Sequence, residues 1–389
     1  MGNGKLRVLI AGGGSGGHVF PALAVARELV HTYGAQVRFV GTARGLETRL
    51  VPAAGFPLDL IQVGQLNQVN LMTKVATLSK LPLSVLACRR LLRTFRPHLV
   101  FGVGGYASGP AMIAAILAGT PRVAFEPNAV PGMVNRWVGR WVQAAAVNFP
   151  DTLRYFRNGH VTGIPVRPEF FELPPRPIDA PPQLLVFGGS QGARTLNRMT
   201  PQIAADLLAA VPELTILHQS GARHLEGTEQ AYLQSPELRG RWAESWKVEP
   251  FLDDMAARFG AASLVLCRSG ASTVAELAAA RKPSLLIPFP QAADDHQRCN
   301  AEVFVQAGAA VMIEETELTP QRLLEELIRL LKDPKSLAAM AEKARALAHA
   351  DAAASIAALI QQFSNSGTPR EATVVLSDVR SKHNDAGKG

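Results

Sequence analysis

The feature that most limits how this chain can fold is a glycine-rich turn that leaves an apolar run and opens a helical pattern. It occurs at four places. The first is Gly12-Gly13-Gly14-Ser15-Gly16-Gly17-His18, between Leu6–Ala11 and the helical pattern Pro21–Leu29. The second, Gly102 to Pro110, follows Leu99–Phe101; the third, Gly188 to Arg194, follows Leu184–Phe187; the fourth, Arg268 to Thr273, follows Leu264–Cys267. Glycine lets the backbone take positive φ and lets a ligand come close. The first turn of the helix that follows offers unpaired N–H groups and a partial positive charge. A strand, a glycine turn and a helix start therefore make a place for an anion.

Around these turns, strand and helix patterns alternate. The strand runs are Leu6–Ala11, Val37–Gly41, Leu58–Val63, Leu99–Val103, Val123–Glu126, Ala145–Phe149 and His160–Thr162. Gly163 to Pro182 holds seven prolines and reads as a linker, since proline interrupts both helix and central strand. A second alternating set follows: Leu184–Phe187, Leu214–Gln219, Val248–Phe251, Leu264–Cys267, Ser284–Pro288 and Ala310–Ile313. This predicts an α/β chain of two doubly wound, Rossmann-like domains facing one cleft. The expected divisions are 1–164, 165–345, a helix at 346–363 packing back on the N-terminal domain, and a disordered tail at 364–389. Helical patterns at Pro320–Leu331 and Ser336–Phe363 end the ordered part.

Composition narrows the function. The 389 residues carry a net charge of +8, which suits an anionic partner: nucleic acid, an acidic membrane surface or a phosphorylated substrate. Aromatic residues are 6% of the chain, and no stacking stripe for nucleic acid is visible. The three cysteines lie far apart with no metal-ligand spacing and no disulfide framework, so a reducing compartment is expected; no D-x-D or H-E-x-x-H pattern is present, so no metal site is expected, and no cofactor is expected either. No signal peptide and no membrane-length apolar run are visible. The segment Leu66–Arg96 has apolar residues including Leu71, Met72, Val75, Leu78, Leu83 and Leu86, cations from Lys74 to Arg96, and no acid. It reads either as a peripheral helix on anionic lipid or as a core helix with a solvated back.

The motifs admit more than one reading. Gly12, Gly14 and Gly17 fit a dinucleotide-binding turn, but the acid expected after the second strand is absent, and Arg44 stands near that place. His18 at the loop's end reads as a base, a phosphate donor or a structural histidine. The second loop, with Gly104, Gly105 and Tyr106, reads as an anion site or as tight helix-on-sheet packing. Ser190 is an N-cap candidate. Glu276 is a partner for its helix dipole or an acceptor for sugar hydroxyls. A nucleotide-sugar transferase, a nucleotide-sugar epimerase or dehydrogenase, and a nonenzymatic basic binder remain to be compared; acceptor-dependent release of a nucleotide separates the first from the others.

Six segments in order carry a resemblance: Gly12–Pro21, Gly102–Pro110, Glu126–Asn135, Gly188–Asn197, Pro250–Met255 and Cys267–Glu276. Over about residues 5–363 the chain resembles the MurG family. These bacterial transferases move N-acetylglucosamine from UDP-N-acetylglucosamine to undecaprenyl-pyrophosphoryl-N-acetylmuramoyl pentapeptide. The resemblance implies a GT-B fold, inversion at the anomeric carbon, and peripheral attachment to the cytoplasmic face of the cell membrane. It implies that Ser15, Gly16 and Gly17 approach the donor, that Asn128 holds the sugar, and that Arg167 lies just past the hinge. Ser190 is then near the nucleotide, and the backbone around Leu252 reads the uracil. Ala271, Ser272 and Thr273 cradle the diphosphate, Val274 and Ala275 belong to the same substrate-binding stretch, Glu276 binds ribose and Gln297 binds sugar hydroxyls. Gly14, Gly104, Gly105 and Tyr106 would serve the acceptor diphosphate, and His18 and Glu276 are the expected catalytic pair. Two positions depart from the family: Pro127 replaces a common glutamine, and Ser15 a common threonine.

Overall fold

The structure is a computed structural model that describes residues 5–364 except 44, 63–70, 106 and 190; of 71–80 it describes the backbone only. Arg44, Tyr106, Ser190, the first part of the cationic segment and the expected disordered tail beyond Ser364 thus lie outside the described side chains.

The first half runs β1 (Arg7–Ala11), α1 (Gly16–Tyr33), β2 (Gln36–Thr42), α2 (Glu47–Ala53), β3 (Leu58–Ile61) and α3 (Leu71–Phe95). It continues with β4 (Leu99–Gly102), α4 (Ser108–Leu117), β5 (Arg122–Glu126), α5 (Met133–Val138), β6 (Ala144–Val147) and β7 (Gly159–Val161). The second half runs β8 (Gln183–Phe187), α6 (Arg194–Ala210), β9 (Thr215–Gln219), α7 (Leu225–Leu233), α8 (Pro236–Arg239) and β10 (Trp246–Glu249). Then come α9 (Met255–Ala261), β11 (Leu264–Cys267), α10 (Ala271–Ala279), β12 (Ser284–Leu286), α11 (His296–Gln306) and β13 (Ala310–Met312). Helices α12 (Pro320–Leu331), α13 (Pro334–Arg345) and α14 (Ala352–Ser364) finish it.

Two parallel sheets result, ordered β3-β2-β1-β4-β5-β6-β7 and β10-β9-β8-β11-β12-β13. Strands β4, β5, β6 and β11 are buried along their whole length. That explains their unbroken apolar runs: a parallel sheet is covered on both faces by its crossover helices. In each sheet the order reverses once, between β1 and β4 and between β8 and β11. Ligands of open α/β sheets collect beyond the strand C-termini at such a reversal. All four glycine turns leave the strands that flank the two reversals. Register keeps each pair level: Ala11 pairs with Gly102, and Phe187 with Cys267.

The linker forms no strand and only a single 3₁₀ turn, Pro168–Phe170. The pattern Ser336–Phe363 is not one helix. It breaks between α13 and α14, because α13 packs on α10 of the second half while α14 packs on α1 of the first. Ile356 and Ile360 of α14 are fully buried in the first sheet's core, each contributing about 1.5–3 kcal/mol of apolar burial. The chain thus passes between halves twice, near Gly163 and near His349. The two passages touch: a Cβ on Gly163, whose φ is +76°, would lie 2.3 Å from His349 Cβ.

Candidate active site

The two glycine turns of the first half press backbone to backbone. A Cβ on Gly105 (φ +76°) would sit 2.4 Å from the Gly13 carbonyl oxygen, and one on Gly104 (φ +89°) would sit 2.9 Å from the His18 ring. Tight packing is therefore a realised role of Gly104 and Gly105. The second loop forms the bed on which the His18 imidazole lies.

Ser15 is the N-cap of α1, but its hydroxyl does not cap the helix. Its Oγ lies 3.1 Å from His18 Nδ1 instead. With the proton on Nδ1 shared with Ser15, Nε2 keeps its lone pair. Gly16 and Gly17 hold the free N–H groups of the helix start, while the N–H groups of His18 and Val19 already donate to the Ser15 carbonyl. His18 is half-buried. Burial, then the His296 ring, bring its pKa down to about 4, with Glu47 pulling it up. The ordinary pKa near 6.5 that sequence reasoning assigns does not hold at this site. At neutral pH the imidazole is uncharged and free of the proton a base must accept.

Gly14 does not present its amide to a ligand. Its N–H donates to Glu47 Oε2 at 2.7 Å, and its carbonyl accepts from the Leu46 N–H at 3.2 Å. The role of diphosphate donor expected of Gly14 is therefore filled from within the fold.

In the second half, α10 begins at the fourth loop. Val274 is fully buried in the core, and its N–H donates to the Gly270 carbonyl. Ala271 and Ala275 pack against the first domain's core cluster. The free N–H groups of this helix start are thus those of Ala271, Ser272 and Thr273, and Val274, expected among the substrate-binding residues, has no free amide. A Cβ on Gly17 would lie 3.5 Å from Ser272 Oγ, so the N-termini of α1 and α10 face each other across the interdomain cleft. Ser272 Oγ is buried without a hydrogen-bond partner. Two positive helix ends and an unpaired hydroxyl at one point are a setting for a diphosphate.

Beside this point lies a cleft of about 690 Å³, within the 300–1,000 Å³ range of small-molecule sites. Its walls include Gly188, Gly189, the stretch Gln191–Thr195, Gly270, Thr273, Phe289 and Gln297. Gln297 accepts from the Phe289 N–H at 3.0 Å through Oε1. Glu276 lies one turn beyond Thr273 and shares its helix face. Burial raises its pKa to about 7, Arg167 opposing and Glu169 reinforcing that rise. Arg167 itself pairs with Glu169 at 3.1 Å. Leu252 is buried as a whole residue and packs with Phe187 and Phe259 in one core cluster. The N-cap of α6 is Ala193, so the capping role considered for Ser190 belongs elsewhere.

Asn128 differs most from expectation. Its backbone N–H and its Nδ2 both donate to Glu126 Oε1 at 3.0 Å, and its Oδ1 accepts from Asn300 Nδ2 at 3.2 Å. Asn300, fully buried on α11, also accepts from the Ala129 N–H and donates to the Ser269 carbonyl. Asn128 thus ties the first domain to α11 and, through Asn300, to the fourth loop of the second. Arg136 and Asp294 add an ion pair across the cleft at 2.7 Å. Glu126 receives Gly132 N–H and Asn135 Nδ2 on its other oxygen, and burial pushes its pKa up. The departure at Pro127 is harmless to this network, because the donors come from residues after it.

Sequence reasoning missed three contributors. Arg268 pairs with Glu315 at 2.5 Å, stacks over Phe289 and donates to the Ile287 and Pro288 carbonyls, forming one side of the cleft. Asn300 and Glu47 are the others. The signal for Glu47 was the spacing of Gly41 and Gly45 around it, which looks like an ordinary loop until the fold is known.

Residues 8–147 match the glycosyltransferase family 28 N-terminal domain, and residues 183–356 match its C-terminal domain. A UDP-N-acetylglucosamine--N-acetylmuramyl-(pentapeptide) pyrophosphoryl-undecaprenol N-acetylglucosamine transferase of Solibacter usitatus is 48% identical over 319 residues, 82% of this chain and 86% of that one. One of the same name from Stutzerimonas stutzeri is 45% identical over 352 residues, covering 90% and 96%. The crystal structure of MurG from Acinetobacter baumannii superposes with a TM-score of 0.75 at 32% identity, covering 92% of this chain and 99% of that one. A UDP-GlcNAc 2-epimerase structure from Neisseria meningitidis, at 12% identity and TM-score 0.64, covering 92% of this chain and 100% of that one, shares the fold. Two family domains matched in order, full-length relatives and a common GT-B architecture agree: this chain belongs to glycosyltransferase family 28, among the UDP-N-acetylglucosamine--N-acetylmuramyl-(pentapeptide) pyrophosphoryl-undecaprenol N-acetylglucosamine transferases.

Proposed function

We propose that the chain transfers N-acetylglucosamine from UDP-N-acetylglucosamine to the 4-hydroxyl of a lipid-linked N-acetylmuramoyl pentapeptide, releasing UDP. The observation that carries this reading is the meeting of the α1 and α10 N-termini beside His18. UDP-sugar occupies the second domain's cleft, with its diphosphate at Ala271–Thr273 and its ribose on Glu276. His18 Nε2 takes the proton of the acceptor hydroxyl as that oxygen attacks the anomeric carbon from the face opposite UDP. Such a base contributes typically ~10²–10⁴-fold. The acceptor's own diphosphate adds negative charge near the ring and lifts its pKa back toward neutrality. Charge on the departing UDP is met by the α10 helix end and the Ser272 hydroxyl.

A lipid-linked acceptor calls for a membrane-facing surface on the first domain. No helix among the described residues is long and apolar enough to cross a membrane. Helices α3, α4 and α5 pack side by side. They and the turn after α5 expose Leu83, Leu86, Leu117, Met133, Trp137 and Trp141, with Arg90, Arg93 and Arg140 exposed among them. Exposed tryptophans edged by arginine suit the interface of an anionic bilayer. This surface supports peripheral attachment, which for a UDP-sugar enzyme means the cytoplasmic face.

The test uses anionic vesicles that carry the acceptor, together with donor labelled in its sugar. The expected result is label in the vesicle fraction, at a rate that falls with added salt as the protein leaves the surface. Label that stays in solution removes the transfer reading. A rate unmoved by salt, with no protein floating with the vesicles, removes the surface.

A further inference from the structure

Glu47 is the first residue of α2, and its side chain is almost wholly buried at 1% exposure. It points away from the cleft, into the back of the first glycine loop. Three donors meet it: Gly14 N–H at 2.7 Å on Oε2, and Thr42 N–H and Thr42 Oγ, each at 2.9 Å, on Oε1. Three glycines make the room. A Cβ would lie 2.3 Å from the carboxylate at Gly13, 2.6 Å from Glu47 Cγ at Gly41 and 1.9 Å from the carboxylate at Gly45. A buried carboxylate held by charge-assisted hydrogen bonds in a slot of this shape has one seat available.

The consequence runs forward along the chain. Gly14 is clamped at both ends, by Glu47 on its N–H and by the Leu46 N–H on its carbonyl. The next residue is Ser15, whose hydroxyl meets the His18 ring and whose carbonyl receives the His18 N–H. We propose that Glu47 is a positioning residue for the transfer reaction: from behind, its carboxylate fixes the loop whose far end carries His18. This rests on His18 being the group that takes the acceptor's proton. Glu47 touches no substrate, and it occupies the amide that a dinucleotide-binding loop would turn toward its phosphates. The first loop is therefore set for a base and a helix start, rather than for a diphosphate at Gly14.

Turnover with the lipid-linked muramoyl-pentapeptide acceptor, and UDP-N-acetylglucosamine affinity by calorimetry, test this in the full chain. The variants are Glu47→Gln, His18→Ala and the pair together. Gln keeps the volume but turns an N–H₂ toward one of the donors, so turnover falls about tenfold or more while donor affinity stays within about twofold. In the His18→Ala background the same substitution has little further effect, because residues that act as a unit are not additive. Wild-type turnover in Glu47→Gln, or an equal proportional loss in both backgrounds, overturns the proposal and leaves the His18 reading intact. Wild-type turnover in His18→Ala overturns that reading and this proposal with it. Thr42→Val keeps the backbone donor and removes only the hydroxyl. If Glu47→Gln does not fold, Thr42→Val carries the same comparison, with an expected loss of about threefold against none.

Discussion

Replacing His18 with alanine lowers turnover by ~10²–10⁴-fold at saturating donor and acceptor, while the affinity for UDP-N-acetylglucosamine stays near wild type. The split follows from where the ring lies. It rests on Gly104 in the first domain, hydrogen-bonded to Ser15, whereas the cleft proposed for the donor is walled by residues of the third and fourth loops of the second domain. Removing the ring leaves the donor site whole and takes away only the group that accepts the proton. Steady-state kinetics paired with donor calorimetry read the two quantities separately. Equal losses in turnover and donor affinity assign His18 to donor binding instead, and unchanged turnover removes it as the base.

Glu276→Ala acts on the other quantity. A carboxylate that accepts from ribose hydroxyls makes charge-assisted bonds, each worth about 1.5–3 kcal/mol, so donor affinity falls roughly 10–100-fold while turnover at saturation falls less. The pH dependence is a sharper signature. Burial holds the Glu276 carboxyl near a pKa of about 7. Hydroxyl donors favour the ionised form, so donor binding strengthens as pH rises through about 7 and weakens below it as the group takes a proton. Glu276→Gln flattens that dependence. Calorimetry at pH 6 and pH 8 checks it: a wild-type affinity that is constant over this interval places ribose recognition on another residue.

The architecture was legible because its signals are local. Runs such as Leu99–Val103 and Leu264–Cys267 are apolar throughout, as strands covered on both faces must be, and glycine turns punctuate them. The positions of His18 and the start of α10 followed, since a turn after a strand next to the reversal of strand order has only one place to go. What was not legible depends on distant partners. Asn128 meets Asn300 across 172 residues, and no pattern near either announces the pair. Glu47 looks like the opening acid of a short helix, a common dipole partner, until the sheet brings Gly13 and Gly41 around it. The helical run Ser336–Phe363 carries no local sign of a break, although the expected division at 345/346 falls where α13 ends. The two domains that α13 and α14 pack on distinguish the two segments.

The Asn128–Asn300 contact also bears on alignment. Holding two reactants in register is worth roughly 7–11 kcal/mol in favourable cases, more than one base supplies. A half-buried bridge between the fourth loop and the first domain occurs in the same fold that puts Gly17 beside Ser272. The central claim is therefore that donor and acceptor meet at this cleft and that bond cleavage in the donor requires the acceptor. The direct measurement is UDP release from UDP-N-acetylglucosamine with and without a lipid-linked muramoyl-pentapeptide. UDP is released only when the acceptor is present, in equal amount to the disaccharide formed. UDP released without the acceptor, or sugar isomerised with UDP still attached, would contradict that claim.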